Sequence, residues 1–193
     1  MLKWFKRKAV SFGYVKRNDL AETDIKEMHA LFSEYYDYAD YDIFIQDLGN
    51  KDGSLVCRDV KNGRIVAFCN LKLTKLRYKQ TTVRALFAGD TVCHRKYWKK
   101  NSGRNPLHSA FYYFAFKFWL LHPFSRTFWF LISMSYRTYL LIANNFVDHY
   151  PHYRLDNAKT RELKEICHLF AQDMFRDKFN AETGHIDFGH GSF

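Results

Sequence analysis

The 193-residue sequence lacks a long uninterrupted apolar run. Its longest apolar stretch, Phe111 to Leu121, contains Lys117 and ends at His122-Pro123. This is well short of the roughly 20 apolar residues that a membrane-spanning helix needs. The basic amino-terminal segment also lacks the continuous apolar region and the cleavage site of a secretory signal. The sequence therefore predicts no spanning helix and a cytoplasmic location.

Cysteine and histidine motifs are also missing. The cysteines Cys57, Cys69, Cys93 and Cys167 are scattered without a CxxC pair, and the nine histidines show no HExxH or zinc-ligand spacing. Most of the cysteines lie in apolar, strand-like runs, so we expect reduced core residues and no metal site. There is no low-complexity or disorder-type bias, and the length predicts a single domain over residues 1–193.

Aromatic residues and positive charge are abundant. Aromatics make up 19% of the chain, and the formal net charge is +10. The lysines and arginines cluster at residues 3–17, 72–79 and 95–104. A basic surface favours an anionic partner, but no RRM, KH, helix-turn-helix or zinc motif indicates nucleic acid. Trp4 and Phe5, among lysines, are an alternative sign of peripheral contact with an anionic membrane.

The hydrophobic periodicity changes several times along the chain. The first half predicts a strand, two helices and a three-strand antiparallel meander whose first hairpin turns at Asn62-Gly63. The second half predicts a long aromatic helix from Pro106, a buried strand, two helices and a last short strand. Strand, helix, strand, helix implies a parallel crossover. The main predicted segments are 9–15, 23–36 (capped by Thr23), 41–48, 53–59, 64–76, 82–94, 106–121, 127–133, 136–146 and 157–176.

This order of elements, with GRIVAFCNLKL followed by ALFAGDTVCHRKYWKKNSGRN and TFWFLISMSYRTYLLIANNF, resembles the GNAT superfamily of acyltransferases. The resemblance covers about residues 9–155 and is stronger in element order than in motif. It implies an α/β (α+β) fold with a mixed sheet, in which the meander is followed by a β-α-β-α crossover. The central strands ending near His94 and Ser133 would separate, with the pantetheine arm of an acyl thioester between them. The acyl group would then lie beside FYYFAFKFW and TFWFLI.

The donor loop departs from the family pattern. That pattern is usually Q/R-x-x-G-x-G/A, whereas the equivalent stretch here keeps one glycine and adds lysines. Amides at a helix amino terminus still favour a phosphate. The resemblance therefore implies either acyl-CoA or the phosphopantetheine of an acidic acyl carrier protein as the donor. The donor-binding residues it implies here are Lys99, Lys100, Asn101, Ser102, Gly103 and Arg104.

Transfer of an acyl group from a thioester to an amine needs a base and a hydrogen-bond donor for the oxyanion. Asp90 and His94 are the candidate bases. At roughly 3.3 Å per residue they stand about 13 Å apart, so they form no dyad without a bulge. Gly89 marks such a bulge. The resemblance assigns the oxyanion donor to the main chain near Val92 and Cys93.

The leaving thiolate also needs a proton. The resemblance implies that Tyr136 or Tyr139, on the helix after the buried strand, supplies it. Arg137 and Asn144 on that helix are candidates for contacts with pantetheine amides or phosphate. Ser133, at the end of the strand, is a further candidate for hydrogen bonding to substrate.

Aromatic residues surround almost the whole circumference of the predicted helix at FYYFAFKFWLL, so a single buried face does not account for them. Either the helix is buried between the sheet and the carboxyl-terminal helix, or it lines a cavity for a long acyl chain. We therefore expect an N-acyltransferase that moves a medium or long acyl chain to the amine of a small molecule or peptide, a lipidation reaction. The alternative is a non-catalytic module of the same fold that binds an acidic carrier protein or nucleic acid.

Overall fold

The computed structural model describes residues 10–37, 39–98, 105–133 and 136–189, without the side chains of Arg137 and Thr138. The main strands are β1 (Val10–Lys16), β2 (Gly53–Asp59), β3 (Ile65–Tyr78), β4 (Thr81–Cys93) and β5 (Arg126–Phe130). The α-helices are α1 (Glu22–Ser33), α2 (Tyr41–Gly49), α3 (Pro106–Leu121), α4 (Tyr136–Ala143) and α5 (Ala158–Phe175). A small hairpin of β6 (Phe179–Asn180) and β7 (His185–Ile186) follows α5.

The five main strands form one mixed sheet in the order β1-β2-β3-β4-β5. The first four strands pair antiparallel, and β4 pairs with β5 in parallel. The predicted meander and the predicted parallel crossover through α3 are both confirmed.

Local sequence signals account for most helix boundaries. Pro106 occupies the first turn of α3, where its missing N–H costs nothing, and Asn105 caps that helix by accepting from the His108 amide at 3.1 Å. Asn157 caps α5 in the same way. The predicted Thr23 cap of α1 is wrong. Thr23 lies inside the first turn, and the helix begins at Glu22, whose charge suits the positive end of the helix dipole.

The sheet separates two layers of helices. Leu86 and Phe87 are neighbours in β4, and their side chains therefore lie on opposite faces of the sheet. Leu86 packs in the core beneath α3, whereas Phe87 packs with Ile166 of α5. The face that carries α5 also carries α1 and α2, where Met28 and Leu48 are fully buried.

No described part of the chain covers the outward side of α3. The prediction that this helix is buried between the sheet and the carboxyl-terminal helix is wrong, because α5 packs on the opposite face of the sheet. Phe111 and Phe118 face the sheet, whereas Tyr113, Phe116 and Leu120 are more than half exposed. Among the residues with described structure, no helix is long and apolar enough to cross a membrane.

The four cysteines all have free thiols, and Cys57, Cys69 and Cys93 are buried. Burial raises the pKa of the Cys57 and Cys69 thiols to about 12. Both residues are therefore protonated and apolar in character at neutral pH, as predicted for core cysteines.

Candidate functional site

The site begins where the two parallel strands separate. The β4–β5 pairing runs from Val83 opposite Arg126 to Phe87 opposite Phe130 and ends there. β4 continues to Cys93 and stays paired with β3 on its other side. The predicted opening between the central strands is thus present and starts after Phe87.

A β-bulge lies in the part of β4 that has left β5. Val92 pairs with Phe68 and Gly89 pairs with Asn70, so the register shifts by one residue at Asp90 and Thr91. Asp90 has a φ angle of +40°, in a region that aspartate tolerates better than most residues. The bulge predicted from Gly89 is confirmed, and it redirects the side chain of Asp90.

Asp90 belongs to a buried polar network that spans three strands and α2. Its Oδ2 accepts from Asn70 Nδ2 at 3.0 Å and lies 3.6 Å from Lys51 Nζ. Lys51 also pairs with Asp47 of α2. Asn70 in turn accepts from Ser54 Oγ at 2.6 Å. Lys51, Asn70 and Ser54 are all buried, so the carboxylate is held by rigid neighbours.

The environment of Asp90 makes its carboxyl a weaker acid than usual. Burial is the main cause and raises the pKa of Asp90 to about 6, with repulsion from Asp47 acting in the same direction. Lys51 and Asn70 oppose the increase. A carboxylate of this pKa is largely ionised at neutral pH and is basic enough to accept a proton from a reacting group.

The backbone at the end of β4 presents an amide to the opening. The His94 amide donates to the Val66 carbonyl at 2.9 Å, towards β3. Successive peptide groups of a strand alternate in direction, so the Cys93 amide points to the opposite edge, which β5 has left. On that edge Trp98 Nε1 donates to the Cys93 carbonyl at 3.1 Å.

A cavity of about 550 Å³ lies beside this end of β4. Tyr36, on the wall of this β4 cavity, has its pKa raised by burial and by the negative charge of Asp90. The cavity and the carboxylate are therefore electrostatically coupled. Its walls are formed by Tyr35, Tyr36, Thr91, Val92, Cys93, Arg95 and Trp98.

His94 has a different environment from Asp90. Its Nδ1 accepts from the Lys96 amide at 3.2 Å and so caps a short 3₁₀ turn, and its Nε2 lies 3.9 Å from Glu34 Oε2. The Asp90 network involves none of these groups. The structure therefore does not join His94 and Asp90 in a dyad.

The predicted residues that follow β5 lie at and near α4. Tyr136 is the first residue of α4 and is exposed, whereas Tyr139 is half-buried and donates to the Pro151 carbonyl at 3.1 Å. Ser133 and Asn144 are both exposed. The predicted donor loop (Lys99, Lys100, Asn101, Ser102, Gly103 and Arg104) and the Arg137 side chain lie outside the described residues.

A second cavity, of about 500 Å³, follows the outer edge of β5. The walls of this β5 cavity include the strand itself, Trp119 of α3, Ile142 of α4, and Leu163 and Phe170 of α5. It extends to Leu131, one residue beyond the last pair with β4. The cavity therefore runs beside most of the predicted acyl-lining segment TFWFLI, on the side of β5 away from β4.

The β5 cavity is not entirely apolar. In the described part of the chain, Thr127 Oγ1, Trp129 Nε1 and His149 Nε2 are buried without a hydrogen-bond partner, and all three residues line this cavity. Unpaired buried polar atoms are costly, typically about 1–3 kcal/mol each. Ordered water or a polar substituent on a ligand would reduce that cost.

Lys51 and Asn70 are the site residues that the sequence interpretation missed. Asn70 had a usable signal, because it is the polar residue within the apolar run IVAFCNL. Lys51 had none, since a lysine just after a helix is normally solvated. Its burial depends on packing against Gly89, where an added Cβ would lie 3.3 Å from the lysine Cε.

No protein-family model matches the sequence, and no curated protein is significantly similar to it. Solved structures do match. A ribosomal-protein-alanine N-acetyltransferase from Brucella melitensis biovar Abortus matches with a TM-score of 0.50 and 15% identity, over 77% of this chain and 99% of that one. A probable N-acyltransferase from Enterococcus faecalis matches with a TM-score of 0.47 and 11% identity, over 69% of this chain and 32% of that one. An aminoglycoside N-acetyltransferase solved with CoA matches with a TM-score of 0.48 and 8% identity, over 80% of this chain and 99% of that one.

This chain spans about a third of the Enterococcus protein and nearly all of the Brucella enzyme. The Brucella match, at 15% identity, concerns the fold. Independently, the mixed sheet has its parallel pair at β4 and β5, and these strands part after Phe87. Together these observations show that the chain has the fold of the GNAT acyltransferases.

Proposed function

We propose that this protein is an N-acyltransferase that moves an acyl group from a thioester to an amine. The observation that carries the proposal is the buried Asp90 carboxylate on the β4 bulge, next to the opening between β4 and β5. The matched Brucella enzyme, an N-acetyltransferase acting on a ribosomal protein alanine, supports the same reaction class.

In the proposed reaction the amine nitrogen attacks the thioester carbonyl carbon. The new C–N bond forms, the C–S bond breaks, and the proton lost by the amine goes to Asp90. At roughly 3.3 Å per residue, Cys93 is about 10 Å along β4 from Asp90, so the proton travels through water in the β4 cavity. The amide and the free thiol are the products.

Two further groups complete the proposed chemistry. The Cys93 amide donates a hydrogen bond to the oxyanion that develops on the carbonyl oxygen. Tyr136 or Tyr139 protonates the leaving thiolate, and the proton held by Asp90 then returns through solvent to the tyrosinate. Tyr136→Phe and Tyr139→Phe assign this last role. Turnover should slow in the variant that has lost the proton-donating hydroxyl and should persist in the other.

The proposed donor is acyl-CoA or an acyl carrier protein with a medium or long chain. The net charge of +10 suits either anionic donor. The β5 cavity supports a chain longer than acetyl, because its volume of about 500 Å³ is large enough for several methylene groups. Lipidation of a small-molecule or peptide amine is the reaction that fits these features.

The test is thiol release, followed with Ellman's reagent, for acyl-CoA and acyl carrier protein donors of increasing chain length. Each donor is paired with amino acids, polyamines and peptides with free amino termini. Donor- and amine-dependent thiol release, with the amide identified by mass spectrometry, supports the proposal. No turnover with any pair, together with retained binding of a carrier protein or nucleic acid, indicates the non-catalytic module instead.

Substitution of Lys51 should change the pH dependence of the reaction. The ammonium group lowers the pKa of Asp90, so Lys51→Met raises that pKa and moves the acidic limb of the kcat/KM profile to higher pH, by about one unit. Asp47→Asn removes a negative charge that raises the pKa of Asp90, so the acidic limb of the kcat/KM profile should move to lower pH. Unchanged profiles in both variants would exclude Asp90 as the group that titrates.

A further inference from the structure

The outward side of α3 is an extended apolar surface, which we name the α3 face. Six large apolar residues of the helix are 47 to 73% exposed, and Phe124, just after it, is 98% exposed. Exposed apolar patches of this kind mark contacts with a partner or a membrane. The helical members of the α3 face are Tyr112, Tyr113, Phe116, Trp119, Leu120 and Leu121.

These residues form one continuous stripe. Tyr112, Phe116 and Trp119 follow each other at helical spacing, as do Tyr113, Phe116 and Leu120. The rings of Phe116 and Trp119 are 6.0 Å apart. The face is thus a convex ridge of side chains along the helix, suited to a broad surface rather than to a ligand that needs a pocket.

The charge on the α3 face itself has a single sign. From Pro106 to Phe124 the chain contains one lysine and no aspartate or glutamate. Lys117 projects from the helix among the aromatic rings, with its Nζ 5.5 Å from the centre of the Tyr113 ring. An anionic surface therefore complements both the charge and the apolar character of this region.

We propose that the α3 face docks on an anionic lipid bilayer. Tryptophan and tyrosine favour the headgroup region, phenylalanine and leucine favour the acyl boundary, and Lys117 reaches anionic headgroups from its apolar stem. A second copy of the chain is a poorer occupant, because it would bring together two faces that each carry a lysine and no acidic residue. The proposal is independent of the acyl-transfer activity.

The test is co-sedimentation of the full-length protein with vesicles of phosphatidylcholine alone and of phosphatidylcholine mixed with phosphatidylglycerol. We expect binding to the anionic vesicles, weakened by salt. Lys117→Glu reverses one charge at the surface, where each basic residue contributes about 1 kcal/mol, and should reduce the partition coefficient by about tenfold or more. Phe124→Ser removes an apolar contact and should reduce it by about fivefold.

The matched control is Ile43→Ser, which changes an apolar residue of α2 that is 65% exposed and lies outside the α3 face. This variant should bind vesicles like the unmodified protein. Loss of binding in Lys117→Glu and Phe124→Ser, with all three variants folded by circular dichroism, supports the proposal. The proposal is overturned if the protein does not bind vesicles, or if all variants bind them equally. It is also overturned if the protein self-associates instead of binding vesicles and these substitutions abolish the self-association.

Discussion

Asp90→Asn is expected to lower kcat/KM for acyl transfer by about a hundredfold, the usual contribution of a general base. The variant should also lose the acidic limb of the pH profile. In the unmodified protein, activity should rise as pH increases through about 6, because Asp90 must lose its proton before it can accept one. The measurement is the pH dependence of thiol release for both proteins.

The same substitution should leave the fold intact and should not lower its stability. The pKa of Asp90 is raised in the folded state, so its proton favours folding, and stability is lost as pH rises towards about 6. Asparagine avoids this loss and could add up to about 3 kcal/mol at neutral pH, at roughly 1.4 kcal/mol per pKa unit. It also tolerates the positive φ of this position.

These two effects separate catalysis from structure. A folded Asp90→Asn protein with unchanged turnover would remove Asp90 from the mechanism. His94→Gln is the informative comparison, because His94 caps a turn and makes no contact with the Asp90 network. Turnover that depends on His94 and not on Asp90 would reverse the assignment.

Filling the β5 cavity should shorten the preferred acyl chain. Each methylene buried there adds about 0.8 kcal/mol, so kcat/KM should rise about fourfold per carbon until the cavity is full. Cys167 of α5 lines the cavity, and Cys167→Phe would occupy part of it with a ring. Long-chain donors should then lose about tenfold or more, whereas short-chain donors keep their rates.

Cys167→Ala is the matched control, since it changes the same position without filling space. Its chain-length profile should follow that of the unmodified protein. The measurement is thiol release across a series of acyl-CoA donors with one fixed amine. Identical profiles for Cys167→Phe and Cys167→Ala would show that acyl chains do not enter this cavity.

Much of the fold was predictable because its signals are local. Asn62-Gly63 sets the first hairpin, with Gly63 at a φ of +74°, and Pro106 fixes the start of α3. Gly89 indicates the bulge, because a glycine inside a strand often marks one. Each of these features depends on residues close together in the chain.

The site was less predictable because its contacts are long-range. Asn70 reaches Asp90 from 20 residues away in the sequence, and Lys51 comes from the end of a helix on another layer. No spacing rule relates these residues. The predicted position of α5 is wrong for the same reason, because a helical pattern identifies an apolar side but not the face of the sheet that it covers.

The bulge in β4 has one last consequence. The extra residue is absorbed within the bulge, because Val92 and Cys93 stay paired with Phe68 and Ala67 of β3. Deleting Thr91 would therefore leave these two pairs in place and remove the bulge, so that Asp90 would stand opposite Cys69 in a regular ladder. The inserted residue thus changes the direction of the carboxylate without changing which amide of β4 faces the opening.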